Sequence, residues 1–151
     1  MKSSVSVKVI FLLAAVVFLC CCGKKGPPFI PQKAFPLKIS NLKGGWSEGK
    51  ILLAGDLEGP RSPEEARGSI TGCRVYYGEF PPQEAPCADC PIAYQGYDHF
   101  GPEVITGERF SCNVPGKTEG QVLFFKVYLL GPDGRMGPPS NTIQIAPEGS
   151  P

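Results

Sequence analysis

The feature that most constrains this chain is how its glycines and prolines are spread. It holds 19 glycines and 17 prolines in 151 residues, and none of them precedes Cys22. Proline fixes φ and lacks a donor N–H, and glycine raises the entropic cost of ordering a helix or strand interior. Such a chain cannot build long helices. It can build short strands separated by turns, and the apolar residues fall in that pattern. Residues 35 to 42, FPLKISNL, alternate Leu37 and Ile39 with Lys38 and Ser40. Ile51 and Leu53 are in phase within GKILLAGDL. In GSITGCRVYYGEF, Cys73, Val75 and Tyr77 share one parity, Arg74 and Tyr76 the other. Phe110, Cys112 and Val114 align in ERFSCNVPG, and Leu123, Phe125, Val127 and Leu129 in QVLFFKVYLL. NTIQIAP closes the series. Period-two alternation between Gly, Pro, Asn and Asp clusters predicts strands. The one helical candidate, SPEEARG with Ser62 as N-cap, is a single turn. The expected fold class is all-β, a sandwich of two sheets.

The first 21 residues read differently. Residues 1 to 8 carry Lys2 and Lys8 and no acid, and residues 9 to 19, VIFLLAAVVFL, are wholly apolar. A basic start and a run of roughly 7–15 apolar residues mark a secretory signal peptide. A spanning helix needs about 20 apolar residues, and this run is shorter and badly flanked. Without the two signal lysines the remaining chain has 13 basic and 14 acidic residues. That balance, with no basic cluster, argues against nucleic acid as a partner.

The apolar run ends in Cys20, Cys21 and Cys22. Leu19, then two fairly small residues, then Cys22 and Gly23 resembles a bacterial lipoprotein signal. The resemblance implies cleavage before Cys22, a diacylglyceryl group on its sulfur and acylation of the new amine. One chain gives only marginal membrane binding, at about 0.8 kcal/mol per CH2, and a second makes it stable. Residues 22 to 35 then form a Pro/Gly-rich disordered tether, with Lys24 and Lys25 at the headgroups, where they can meet anionic lipid. Gly23 after the cysteine, where the enterobacterial sorting convention has Asp for retention, implies the outer membrane. Cys22, Gly23, Lys25, Gly26, Pro27, Phe29 and Pro31 also resemble the mature start of small lipoproteins that accompany the lipopolysaccharide-export machinery. That likeness covers about ten residues.

The body, residues 36 to 147, resembles a fibronectin type III domain, a sandwich of immunoglobulin-like architecture. ITGCRVYYGE is similar to strand C of that family. FSCNVPGKTEGQVLFFKVYLLGPDGRMGPPSNTIQI is similar to strands E, F and G, with Gly134 and GPPS at residues 137 to 140 where the family has them. The chain departs from the pattern in three places. No tryptophan stands near Gly55, because the single one, Trp46, falls in the preceding turn. Leu123 takes the place of the strand-F tyrosine. An insert spans about 81 to 107. Residues 148 to 151 form a disordered tail.

Four cysteines lie in the body: Cys73, Cys87, Cys90 and Cys112. An exported chain meets an oxidising compartment, and four cysteines allow three connectivities. Under the family assignment Cys73 and Cys112 face inward from opposite sheets, and cystines do cross such cores in immunoglobulin domains. The expected pairs are therefore Cys73–Cys112 and Cys87–Cys90. A tetrathiolate zinc site would need a second CxxC beside CADC, and none is present, so no metal is expected. Pro91 after Cys90 rules out c-type haem attachment.

His99 is the only histidine, in GYDHFGPE, and no nucleophile motif accompanies it. Neither catalytic residues nor a cofactor is expected, and LKGGWSEGK lacks the ending of a phosphate loop. Tyr94, Tyr97, His99 and Phe100 cluster in the insert. They form either a binding patch or packing over the sandwich edge. The expected function is that of a membrane-anchored envelope lipoprotein, held by acyl chains on Cys22 and facing the periplasm. It presents a non-enzymatic module for a protein or glycan. The alternative is an accessory subunit of an outer-membrane export or assembly machine.

Overall fold

The computed structural model describes residues 35–60, 68–87, 90–115, 117–118 and 120–147. The chain divides into two units, residues 1–32 and residues 33–151, and all of the described residues belong to the second. The signal peptide, Cys22, the tether up to residue 34, the SPEEARG turn except Gly68, and the tail from residue 148 lie outside the described residues. Among the described residues no helix is long and apolar enough to cross a membrane.

Among the described residues nine strands form two antiparallel sheets. They are β1 (Lys38–Ser47), β2 (Lys50–Glu58), β3 (Gly72–Phe80), β4 (Gly96–Phe100), β5 (Ile105–Thr106), β6 (Arg109–Val114), β7 (Val122–Leu130), β8 (Met136–Pro139) and β9 (Ile143–Ile145). One sheet has the order β1-β2-β6-β5; the other has β4-β3-β7-β8, with β9 also on β7. The expected all-β sandwich is the observed architecture.

The alternation seen in the sequence sets the inner faces. Ile39, Ile51, Leu53, Phe110 and Val114 come from one sheet, and Cys73, Val75, Leu123, Phe125, Val127 and Leu129 from the other, into one core. Each of these is at most 1% exposed. Burying a side chain of this size contributes about 1.5–3 kcal/mol. The core starts at Phe35, which is buried and packs over Gly131, so this apolar residue belongs to the domain rather than to the tether.

Strand β7 departs from strict alternation, because Val122 and Phe124 are buried on its outer side as well. Phe80 covers Phe124 edge-to-face at 5.7 Å between centroids. Trp46 lies within β1, opposite Ile51, and not in a turn as its place in the sequence suggested. The tight turn falls two residues later, where Glu48 and Gly49 both have positive φ, at 52° and 71°. Two left-handed residues in a two-residue loop match the right-handed strand twist. That hairpin carries Trp46 to the domain end, where its indole N–H donates to the Ala146 carbonyl at 2.9 Å.

Two polar residues repair breaks in the ladders. The β7–β8 register shifts between Tyr128 and Leu130, which leaves Val127 without a strand partner there. Ser140 fills the gap: its Oγ accepts from the Val127 N–H and its own N–H donates to the Val127 carbonyl, both at 2.9 Å. The β1–β2 register shifts between Ser40 and Lys43. There Asn141 holds Leu42 by both its groups, accepting from the amide at 2.8 Å and donating to the carbonyl at 3.0 Å. Buried backbone groups left unpaired are costly, so these two side chains tie the last strands to both sheets.

Candidate functional site

The cysteines divide into two kinds. Cys87 and Cys90 form a disulfide with Cα atoms 5.1 Å apart, as expected. Cys73 and Cys112 are free, buried thiols, so the expected cross-core cystine is not formed. Both thiols serve instead as small apolar fillers of the core. Burial pushes the Cys73 thiol up to about 12, with the charge of Glu103 adding to it. Burial raises Cys112 as well, followed by the influence of Cys73 and Asp98. A neutral, buried thiol is inert as a nucleophile. Among the described residues no group of three or more His, Cys, Asp and Glu side chains could hold a metal ion.

The insert aromatics also divide. Phe100 is half-buried and packs against the core. Tyr94 and Tyr97 instead turn to the outer face of the β4-β3-β7 sheet, where strand register brings them to residues far away in sequence. Tyr76 on β3 lies between Tyr97 on β4 and Lys126 on β7; Arg74 lies between His99 on β4 and Tyr128 on β7. The result is a cluster of four tyrosines. Tyr76 is its centre, 5.2 Å from Tyr97, 5.2 Å from Tyr128 and 6.2 Å from Tyr94, measured between ring centroids. Such spacings and the mostly edge-on geometry suit aromatic quadrupoles.

Two cations sit among the rings. The Arg74 guanidinium lies 4.7 Å over Tyr97, and the Lys126 ammonium 5.4 Å over Tyr94. Arg74 Nη1 reaches the Met136 sulfur at 3.9 Å, and its Nε is buried without a hydrogen-bond partner. The Tyr94 hydroxyl is 3.1 Å from the Thr142 hydroxyl, which fixes that ring over the sheet. His99 is exposed beside Arg74, and Tyr97 is 48% exposed.

Among the described residues no carboxylate forms an ion pair with these cations. The strands of this sheet carry only two acids, Glu79 and Asp98, both on the opposite parity. Glu79 accepts from the Thr118 amide at 3.2 Å. Asp98 forms an ion pair with Lys117 at 3.1 Å, without hydrogen-bond alignment, and that ammonium also lies 3.2 Å over Tyr77. The opposite sheet offers a contrast. Its outer face has an open depression of about 560 Å³ holding Asn41, Lys43, Asp56 and Arg109. There Asp56 and Arg109 are cross-strand partners, and Asn41 donates to the Asp56 carboxylate at 3.1 Å. That surface sets one carboxylate beside its two cations, and the outward parity of the tyrosine face carries none.

Of the four insert residues singled out by sequence, then, three reach one face and Phe100 does not. Tyr76, Tyr128, Arg74 and Lys126 were not recognised as candidates. Their signal was Arg-x-Tyr at 74–76 and Lys-x-Tyr at 126–128, which becomes a cluster only when β3 and β7 pair in register. In sequence comparison no protein-family model and no curated protein matches the chain.

Proposed function

We propose that the protein is an envelope lipoprotein, acylated at Cys22 and anchored in the outer membrane facing the periplasm. Its sandwich binds an envelope component through the tyrosine face and catalyses no reaction. The observation that carries the binding role is the cluster of Tyr76, Tyr94, Tyr97 and Tyr128 with Arg74 and Lys126 and no acid among them. Aromatic residues and arginine are the side chains that dominate binding energy at recognition surfaces. The anchor rests on the sequence pattern alone, Leu19 to Gly23 after a basic and apolar start.

Membership of the fibronectin type III class is part of the same proposal. It is supported by the β1-β2-β6 and β4-β3-β7-β8 strand orders and by Ser140 closing the GPPS turn onto Val127. That class carries many functions, so the role is argued from the face and not from the fold.

The test is photocrosslinking in intact cells. A photoreactive residue at Tyr97 should capture an envelope component. The same residue at Leu52, exposed on the opposite sheet, should not. Equal capture from both positions, or none from Tyr97, removes the assignment of the face. A single dominant protein captured from Tyr97 favours the second reading, an accessory subunit of an export or assembly machine, at which the likeness of residues 22 to 31 points.

A further inference from the structure

We infer that the tyrosine face binds an acidic saccharide chain, one bearing carboxylate or phosphate groups on its sugar rings. This rests on the proposed binding role of that face and names the ligand class.

The charge argument comes first. Arg74 and Lys126 have no ion-pair partner among the described residues, whereas Lys38 and Lys117 are paired with Glu58 and Asp98. Arg74 is the more telling of the two. It is half-buried between Tyr97 and Met136, and its buried Nε lacks a partner. A half-buried guanidinium with no counter-charge gains from an anion that accepts charge-assisted hydrogen bonds from its terminal nitrogens. Lys126, on the other side of Tyr76, supplies a second cation on the same face. The ligand is therefore anionic at more than one point.

The aromatic argument separates a saccharide from a protein. A stable protein interface covers about 800 Å² on each partner, with an apolar aromatic core. Tyr97 is the one large apolar side chain that is strongly exposed on this sheet. The other three rings are half-buried against one another, so the face has little apolar surface to remove from water. What it offers is one open ring face, phenol hydroxyls and two cations. The negative face of an aromatic ring attracts the positively polarised C–H edges of a sugar ring. Hydroxyls and cations match its polar substituents.

The test uses the full acylated chain in neutral detergent and three ligands: oligogalacturonate, a neutral malto-oligosaccharide of equal length, and poly-glutamate of equal charge. Binding is read by calorimetry. Oligogalacturonate should bind at least tenfold more tightly than either of the others. Arg74→Ala should weaken it about tenfold, and Tyr97→Ala and Lys126→Ala each about fivefold, as expected for one charge-assisted or aromatic contact. Leu52→Ala should have no effect. Unchanged melting temperatures for Tyr97→Ala and Lys126→Ala keep the test valid even where Arg74→Ala fails to fold. Equal binding of poly-glutamate would assign the face to acidic peptides. Equal binding of the neutral sugar would remove the role of the cations, and no binding of oligogalacturonate would remove the inference. Capture of a protein from Tyr97 in cells, with no saccharide binding, would leave the binding role standing and overturn this ligand class alone.

Discussion

Alkaline pH should unfold this domain through two thiols. Cys73 is fully buried, and its folded-state value near 12 compares with an ordinary 9.0. A thiol is neutral when protonated, so burial favours the proton. Between pH 9 and 12 the unfolded chain has lost this proton and the folded one has kept it. The unfolded state then binds fewer protons, so stability falls as pH rises. The contribution is complete below pH 9 and is lost on the way to 12. At 1.36 kcal/mol per pH unit, the loss from Cys73 by pH 11 is about 3 kcal/mol, and Cys112 shifts in the same direction. That is a large part of a stability of roughly 5–15 kcal/mol. Urea titrations at pH 8 and pH 11 measure it, in wild type and in the Cys73→Ala, Cys112→Ala double variant. The variant loses packing at both pH values, so the cavity cost cancels in the difference. Wild type should lose at least about 3 kcal/mol more than the variant between the two pH values. Equal losses would refute the reasoning. So would peptide mapping of the native domain that found Cys73 bonded to Cys112.

Four further outcomes are expected. Gly137→Ala should destabilise the fold by about 2–3 kcal/mol in thermal melts, because a Cβ there would meet the Leu37 carbonyl oxygen at 2.0 Å, and backbone cannot rotate away. Asn141→Ala should cost about 2 kcal/mol in the same assay, since both backbone groups of buried Leu42 lose their partner. Reducing Cys87–Cys90 should cost no more than about 2 kcal/mol, because the loop it closes is short, and urea midpoints with and without reductant check this. Cys22→Ala should abolish incorporation of labelled fatty acid; incorporation at the wild-type level would place the lipid on another residue.

Much of the fold was legible because a strand has a period of two. Leu123, Phe125 and Val127 were placed on one face of their strand, and Val75 with Cys73 on one face of another, from parity alone, and each is buried. Turn chemistry was less legible. Trp46 was placed in the turn before the GKILLAGDL strand, whereas the turn proper is only Glu48 and Gly49, both at positive φ, and Trp46 is still in β1. The candidate site was legible only in its local half. Tyr94, Tyr97 and His99 stand together in sequence, whereas Tyr76 and Tyr128 are 52 positions apart and meet only across the β3–β7 ladder.

Sequence by itself determined which residues turn inward, because alternation and the Gly/Pro breaks are local properties of the backbone. Only the tertiary structure decided the relations between strands. Register placed Arg74 and Lys126 among rings with no acid on that face. The packing of two sheets left Cys73 and Cys112 as separate thiols although both face the core. Neither outcome is a property of any single strand. Each depends on distances between strands, and those are set when the whole core packs.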